Sequence, residues 1–145
     1  MLRWMPGLAR TIESALAIGL AITWFAAAMG HARNPFLFLG TIYQYQLLGA
    51  SSGRMLAVAV PAFELTLGAC LLTRQFLFAS YGLSAAILAV FATAQASVLA
   101  RGLSIGCGCF GAGYTARVGW GSLSFTCTLA ATACLGAFVI WRLRP

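Results

Sequence analysis

Four long apolar runs constrain this chain more than any other feature, because about 20 predominantly apolar residues satisfy their backbone in lipid only as a helix. The first lies between Arg10 and His31 and the second between Arg54 and Arg74. The third lies between Arg74 and Arg101, and the fourth spans Val118 to Trp141. None alternates polar with apolar residues, as barrel strands would. Charged residues make up 8% of the 145 and hydrophobic residues 61%, whereas a water-facing domain carries about a quarter charged. The expected fold is therefore all-α: an integral membrane four-helix bundle forming a single transmembrane domain over residues 1–145. Its spans fall at about 11–30, 55–73, 76–99 and 119–141, with both termini on one side.

The basic residues mark edges rather than a binding face. All nine are arginines, giving a net charge of +7, and they sit between or beside the apolar runs. That is the distribution of membrane-edge anchors, and it argues against a stripe aimed at nucleic acid. Arg3, Arg10, Arg74, Arg142 and Arg144 fall on the side of the termini, against Arg33, Arg54, Arg101 and Arg117 on the other. Five against four tilts the termini toward the cytoplasm. Trp120 and Trp141 bracket the last run at about 30 Å along a helix, as interfacial aromatics do. Arg3, Arg10 and Ala26-Ala27-Ala28 give the first run the look of a secretory leader, but it exceeds the usual 7–15 apolar residues. It is expected to stay as the first helix.

Between the first two spans, Ala32 to Ser52 holds Asn34-Pro35, a plausible helix start, followed by Phe36, Phe38, Ile42, Tyr43, Tyr45, Leu47 and Leu48. Too short to span and too apolar to float free, it is expected to form a short interfacial helix. That helix should lie on the side of the loop 101–118. Small residues four apart, Ala15/Gly19, Gly82/Ala86 and Ala130/Cys134, are candidates for close helix contact.

The loop carries the chemistry. Gly106-Cys107-Gly108-Cys109-Phe110-Gly111 sets two sulfurs on a glycine-rich segment expected to be mobile and just outside the membrane. A bridge between them would close too small a ring to add much loop-closure entropy. Such a ring also pulls a disulfide from its preferred geometry and eases its reduction. That suits a redox-active pair, with Arg101 or Arg117 near enough in sequence to favour a thiolate. The same two sulfurs could instead hold copper(I) or zinc, with His31 as a third ligand, or be structural. Cys70, Cys127 and Cys134 lie within the spans, where a cysteine is usually a small buried hydrophobe; a Cys70–Cys134 pair is the one conceivable exception.

Glu64, preceded by Pro61, falls near the bilayer centre, where an ionisable group is a functional candidate. It is read as a proton acceptor coupled to thiol or quinone chemistry, or as an interhelical hydrogen bond to Gln95 or a hydroxyl. Glu13 suits a helix start and a pairing with Arg10. His31 reads as an interfacial residue at a helix end, or as a base or ligand beside the cysteines.

With these residues placed, the chain resembles the methylamine utilisation protein MauE family, within the broader DoxX/DoxD-like group of four-helix membrane proteins. The resemblance rests on His31–Asn34-Pro35 with Phe38, Tyr43 and Leu47-Leu48, on Pro61-Ala-Phe-Glu64-Leu and Gly68, on Arg101-Gly102, and on Cys107-Gly-Cys109-Phe-Gly111. It implies thiol–disulfide redox in maturing a secreted, disulfide-rich amine dehydrogenase, with a thioredoxin-like partner. It also implies the logic of DsbB-like or vitamin K epoxide reductase-like proteins, which pass electrons between thiols and a quinone. Those proteins use two cysteine pairs, and Ala32–Gly53 here contains none, so a partner would supply the second.

On this reading Cys107, Cys109 and Glu64 are the site residues, no metal is assigned, and the cofactor would be a quinone. The loop faces the periplasm from the inner membrane. The rivals are metal handling through Cys107 and Cys109, and a structural subunit of a larger membrane complex.

Overall fold

The computed structural model describes residues 6–110 and 117–143. The loop's Gly111, with the terminal Arg3 and Arg144, lies outside them. Five helices follow in chain order: α1 Pro6–Arg33, α2 Pro35–Gln44, α3 Ala50–Leu72, α4 Leu77–Ala100 and α5 Trp120–Leu143. Four of them, α1, α3, α4 and α5, are long and apolar enough to cross a membrane. The protein is an all-α, multi-pass membrane bundle, with α2 as the short helix between the first two spans.

The bundle is built as two helix pairs, α1 on α3 and α4 on α5, with α1 also touching α5. Its core lies along α1: Ala17, Leu20, Ala21 and Trp24 meet Leu67, Leu71, Tyr81, Leu88 and Ala133. Trp24 Nε1 donates to Ser84 Oγ at 3.0 Å, joining the pairs through their middle. The outward faces, with Ile22, Val58, Val90 and Phe138, remain exposed. In lipid that exposure costs nothing, because the solvent is as apolar as the side chains.

Of the small-residue pairs suggested by spacing, only Ala130 packs against the core, while its partner Cys134 is exposed. Ala15, Gly19, Gly82 and Ala86 lie on exposed faces. The glycines that admit neighbours are Gly53 under Tyr43, Gly68 under Phe25 and Gly136 under Tyr81; a Cβ at any of them meets the ring. Sequence spacing cannot choose the face, since alanine and glycine recur on every side of these helices.

The end of the bundle holding the 73–76 turn is closed by Glu13. This carboxylate is fully buried and pairs with Arg74 rather than with Arg10. Arg74 also donates to Ser14 Oγ at 3.0 Å, and the Tyr81 hydroxyl donates to the Glu13 carbonyl at 3.1 Å. Arg74 and Phe76 both take left-handed backbone angles, φ 59° and 51°, at about 1–3 kcal/mol each for side-chain-bearing residues. The ion pair to α1 holds that turn shut. A buried carboxylate left alone would be strongly unfavourable, so Glu13 and Arg74 fix the α3–α4 turn against α1.

Candidate functional site

The opposite end of the bundle is closed by the segment from Arg101 onward, which folds back onto it. Val118 N donates to the Ile105 carbonyl at 2.9 Å, and Gly106 and Arg117 form an antiparallel bridge. This pinches the loop at its neck. Cys107 and Cys109, two residues apart, are joined by a disulfide. The backbone carrying the sulfurs, expected to be mobile, is docked against the bundle: Cys107 is 8% exposed and Cys109 is half-buried. The segment docks because the bundle end offers hydrogen-bond partners for its carbonyls, which an apolar surface would not.

Those partners come from α1, from α2 and its exit, and from α4. His31, at the end of α1, places Nε2 2.7 Å from the Gly108 carbonyl and Nδ1 2.8 Å from Glu64 Oε2. A carbonyl only accepts, so Nε2 carries hydrogen. One further proton then lies between Nδ1 and Oε2, and the pair is neutral as a whole. Both side chains are nearly fully buried, 1% and 3% exposed, and Phe38 stacks on the imidazole with centroids 3.8 Å apart. Removing either partner would strand a buried polar group, at about 1–3 kcal/mol. Glu64 therefore pairs with His31, rather than with Gln95 or a hydroxyl. His31 itself is a buried bridge, with both ring nitrogens engaged, and is not set beside the sulfurs as a ligand.

The second clamp is Tyr45, just past α2, whose hydroxyl donates to the Cys107 carbonyl at 2.8 Å. Arg101 donates in turn to the Tyr45 carbonyl at 2.6 Å and to Ser97 Oγ at 3.3 Å. Arg117 binds Ser104 Oγ at 2.9 Å. With the sulfurs joined, both arginines brace the loop's backbone and neighbouring hydroxyls. Burial pushes the Tyr45 hydroxyl up to about 12 from the ordinary 10. Between the two clamps, Gly108 takes φ +71° against α2, where a Cβ would collide with the Thr41 side chain. Glycine is required there twice over, by angle and by space.

The third contact is to sulfur. Gln95, fully buried on α4, points Nε2 at Cys109 Sγ (3.3 Å), Cys107 Sγ (3.8 Å) and Thr126 Oγ1 (3.0 Å). Gln95 is the one amide side chain within any of the four spans. That signal was legible, but its partner was not, since nothing in sequence sets the rotation of α4. A cavity of about 40 Å³ lies beside this contact, lined by Cys109, Phe110, Phe125, Thr126 and, from α3, Glu64. It has room for a few waters.

The remaining cysteines stay apart. Cys70 is partly buried, whereas Cys127 and Cys134 are exposed on lipid-facing surface, and all three are free. Neither a buried Cys127 nor a Cys70–Cys134 pair is formed. Among the described residues, no three of His, Cys, Asp and Glu gather where they could hold a metal.

The family of methylamine utilisation protein MauE matches residues 9–142. The chain belongs to the MauE family. The methylamine utilization protein MauE of Paracoccus denitrificans is 33% identical over 107 residues, 73% of this chain and 58% of that protein. The MauE of Paracoccus versutus is 30% identical over 135 residues, 92% of this chain and 73% of its own length. The chain thus spans less than two thirds of the first of these relatives. No solved structure matches it. The matched MauE region takes in every residue of the clamp, from His31 to Thr126.

Two outcomes follow from the clamps. Gly108→Ala should destabilise the detergent-solubilised protein by about 2–3 kcal/mol, from the left-handed angle plus the clash. Adding Thr41→Ser, which deletes the clashing methyl, should recover part of that loss but not the angular part. Thermal unfolding of the three variants tests this. The Tyr45 hydroxyl is more acidic unfolded than folded, so its contribution is complete below about pH 10. It is lost as pH rises from 10 toward 12. Trypsin cleavage after Arg101 should accelerate over that window in the wild type and show a flatter rise in Tyr45→Phe.

Proposed function

We propose that this MauE-family protein is a membrane thiol–disulfide exchanger in which Cys107 and Cys109 are the redox pair. It serves the maturation of a secreted client rich in disulfides, of the kind methylamine utilisation would require, and exchanges with a thioredoxin-like partner. The observation that carries this reading is the pair itself. Two bonded sulfurs sit at the mouth of a lipid-embedded bundle, one of them half-buried, with their backbone held by His31 and Tyr45 and their sulfurs faced by a buried amide. A bridge spanning two residues constrains little of the unfolded chain, so stability is a poor reason for building three clamps around it.

On this proposal the loop faces the periplasm from the inner membrane, an oxidising compartment where disulfides persist. Glu64 relays the Cys107 proton in passing, before it leaves on the departing partner thiolate. His31 engages its Oε2, leaving Oε1 for water in the cavity that Cys109 also lines. A quinone ring does not fit that cavity: a site that takes up benzene is of the order of 150 Å³. The exchange steps themselves run between sulfurs, with the second dithiol on the partner, and a quinone as final electron acceptor would act outside this cavity.

The test uses the purified protein in lipid vesicles, challenged with reduced thioredoxin. Wild type should oxidise about one equivalent of thioredoxin, read by alkylation of the thioredoxin dithiol. Cys107→Ser and Cys109→Ser should each abolish the transfer. Equal activity in wild type and both serine variants would sink the reading and leave a structural role for the loop.

A further inference from the structure

We infer that the two sulfurs have separate duties: Cys109 is the attacking thiolate and Cys107 the resolving cysteine, with Gln95 selecting between them. The inference rests on the exchange reading above and adds the order of events. Two independent observations favour Cys109. It is half-buried and lines the cavity, whereas Cys107 is 8% exposed and covered by the core cluster of Val98 and Val118. It is also the sulfur nearer the buried amide, 3.3 Å against 3.8 Å.

The direction of the amide follows from its surroundings. Thr126 Oγ1 gives its hydrogen to the Ser122 carbonyl at 3.0 Å, so toward Gln95 it can only accept. That turns the Gln95 NH₂ group, not its oxygen, toward Thr126 and the sulfurs. Among the described residues, Gln95 Oε1 is left buried with no hydrogen-bond partner. A glutamine kept only for packing would gain nothing from that unmatched oxygen. An amide kept to aim N–H at sulfur accepts it as the consequence of its orientation. An N–H donor strengthens when its acceptor becomes charged. It therefore lowers the thiol pKa of whichever sulfur it touches, and it touches Cys109 more closely.

The steps balance without any other oxidant. The Cys109 thiolate attacks one sulfur of a partner's protein disulfide, forming a Cys109–partner bond and expelling the partner's other sulfur as thiolate. Cys107 then attacks Cys109 Sγ. The Cys107–Cys109 bond forms, the mixed disulfide breaks, and the Cys107 proton leaves with the second partner thiolate. This chain is oxidised by two electrons and the partner disulfide is reduced to a dithiol. The reverse sequence oxidises a partner dithiol, with its thiolate entering at Cys109.

The reduced protein in nanodiscs, as Cys107→Ser and Cys109→Ser variants, can be alkylated with iodoacetamide across pH. The tryptic peptide 102–117 contains both loop positions and no other cysteine, so its mass reports the loop alone. At pH 7, Cys109 in Cys107→Ser should react at least tenfold faster than Cys107 in Cys109→Ser. Adding Gln95→Met should raise the Cys109 midpoint by about one pH unit and leave the Cys107 midpoint within about 0.3. Gln95→Glu, the same shape with a negative charge, should raise the Cys109 midpoint further. Equal rates at the two sulfurs, a faster Cys107, or Gln95 variants that shift both midpoints alike would overturn the assignment. If the Gln95 variants fail to fold, the comparison of the two serine variants still decides which sulfur attacks. These readings use no client, so they stand apart from the thioredoxin assay. Normal asymmetry with no transfer to thioredoxin would fault the exchange reading, and transfer without asymmetry would fault the assignment.

Discussion

The hydrogen bond from His31 to the Gly108 carbonyl is the contact on which the rest of this end of the molecule depends. It is a short polar link, 2.7 Å, and it joins the last turn of α1 to the glycine between the two sulfurs. Both groups are buried away from water, so each is worth keeping only if the other is in place. Glu64 completes the link from α3 by holding the other ring nitrogen. The three elements α1, α3 and the cysteine loop are thus locked by a chain of two hydrogen bonds, with Phe38 of α2 covering it as a lid.

Around that link the bundle shows a division of labour along its length. At the turn end, Glu13, Arg74 and Tyr81, with Ser14, form a cluster of mutual hydrogen bonds that fixes helix positions. At the loop end the polar groups point at backbone carbonyls and sulfurs, leaving a small cavity between Glu64 and Cys109 and an unmatched oxygen on Gln95. The first pattern is what structural polar groups in a membrane protein look like. The second leaves room for a change of charge at sulfur, which is the physical requirement of thiol exchange.

The helical architecture was legible because lipid imposes it: four apolar runs of the right length admit few other solutions. The short helix opening at Pro35 was legible for the same kind of reason, since proline fits the first turn and the aromatics that follow cannot remain in water. What could not be read was rotation. The spans are apolar on every side, so periodicity gives no inward face, and Glu64 could be placed at a depth but not opposite a partner. Hence the pairing of Glu64 with His31 and of Glu13 with Arg74, where Gln95 or Arg10 had been natural choices from spacing. Cys127 sits on the outer face for the same reason. The loop's glycines suggested mobility, yet Gly108 is required by a tight, docked conformation, a distinction that depends on Thr41 some 67 positions earlier.

The central claim is that Cys107 and Cys109 cycle between joined and separate while the clamps hold the loop in place. The most direct measurement is acid-quenched alkylation of native membranes followed by mass analysis of the peptide 102–117. The account predicts that part of this peptide carries an internal disulfide and converts to the doubly alkylated form after mild treatment with dithiothreitol. A peptide that bears two free thiols under every condition, or a bridge that never responds to reductant in the folded protein, would contradict it.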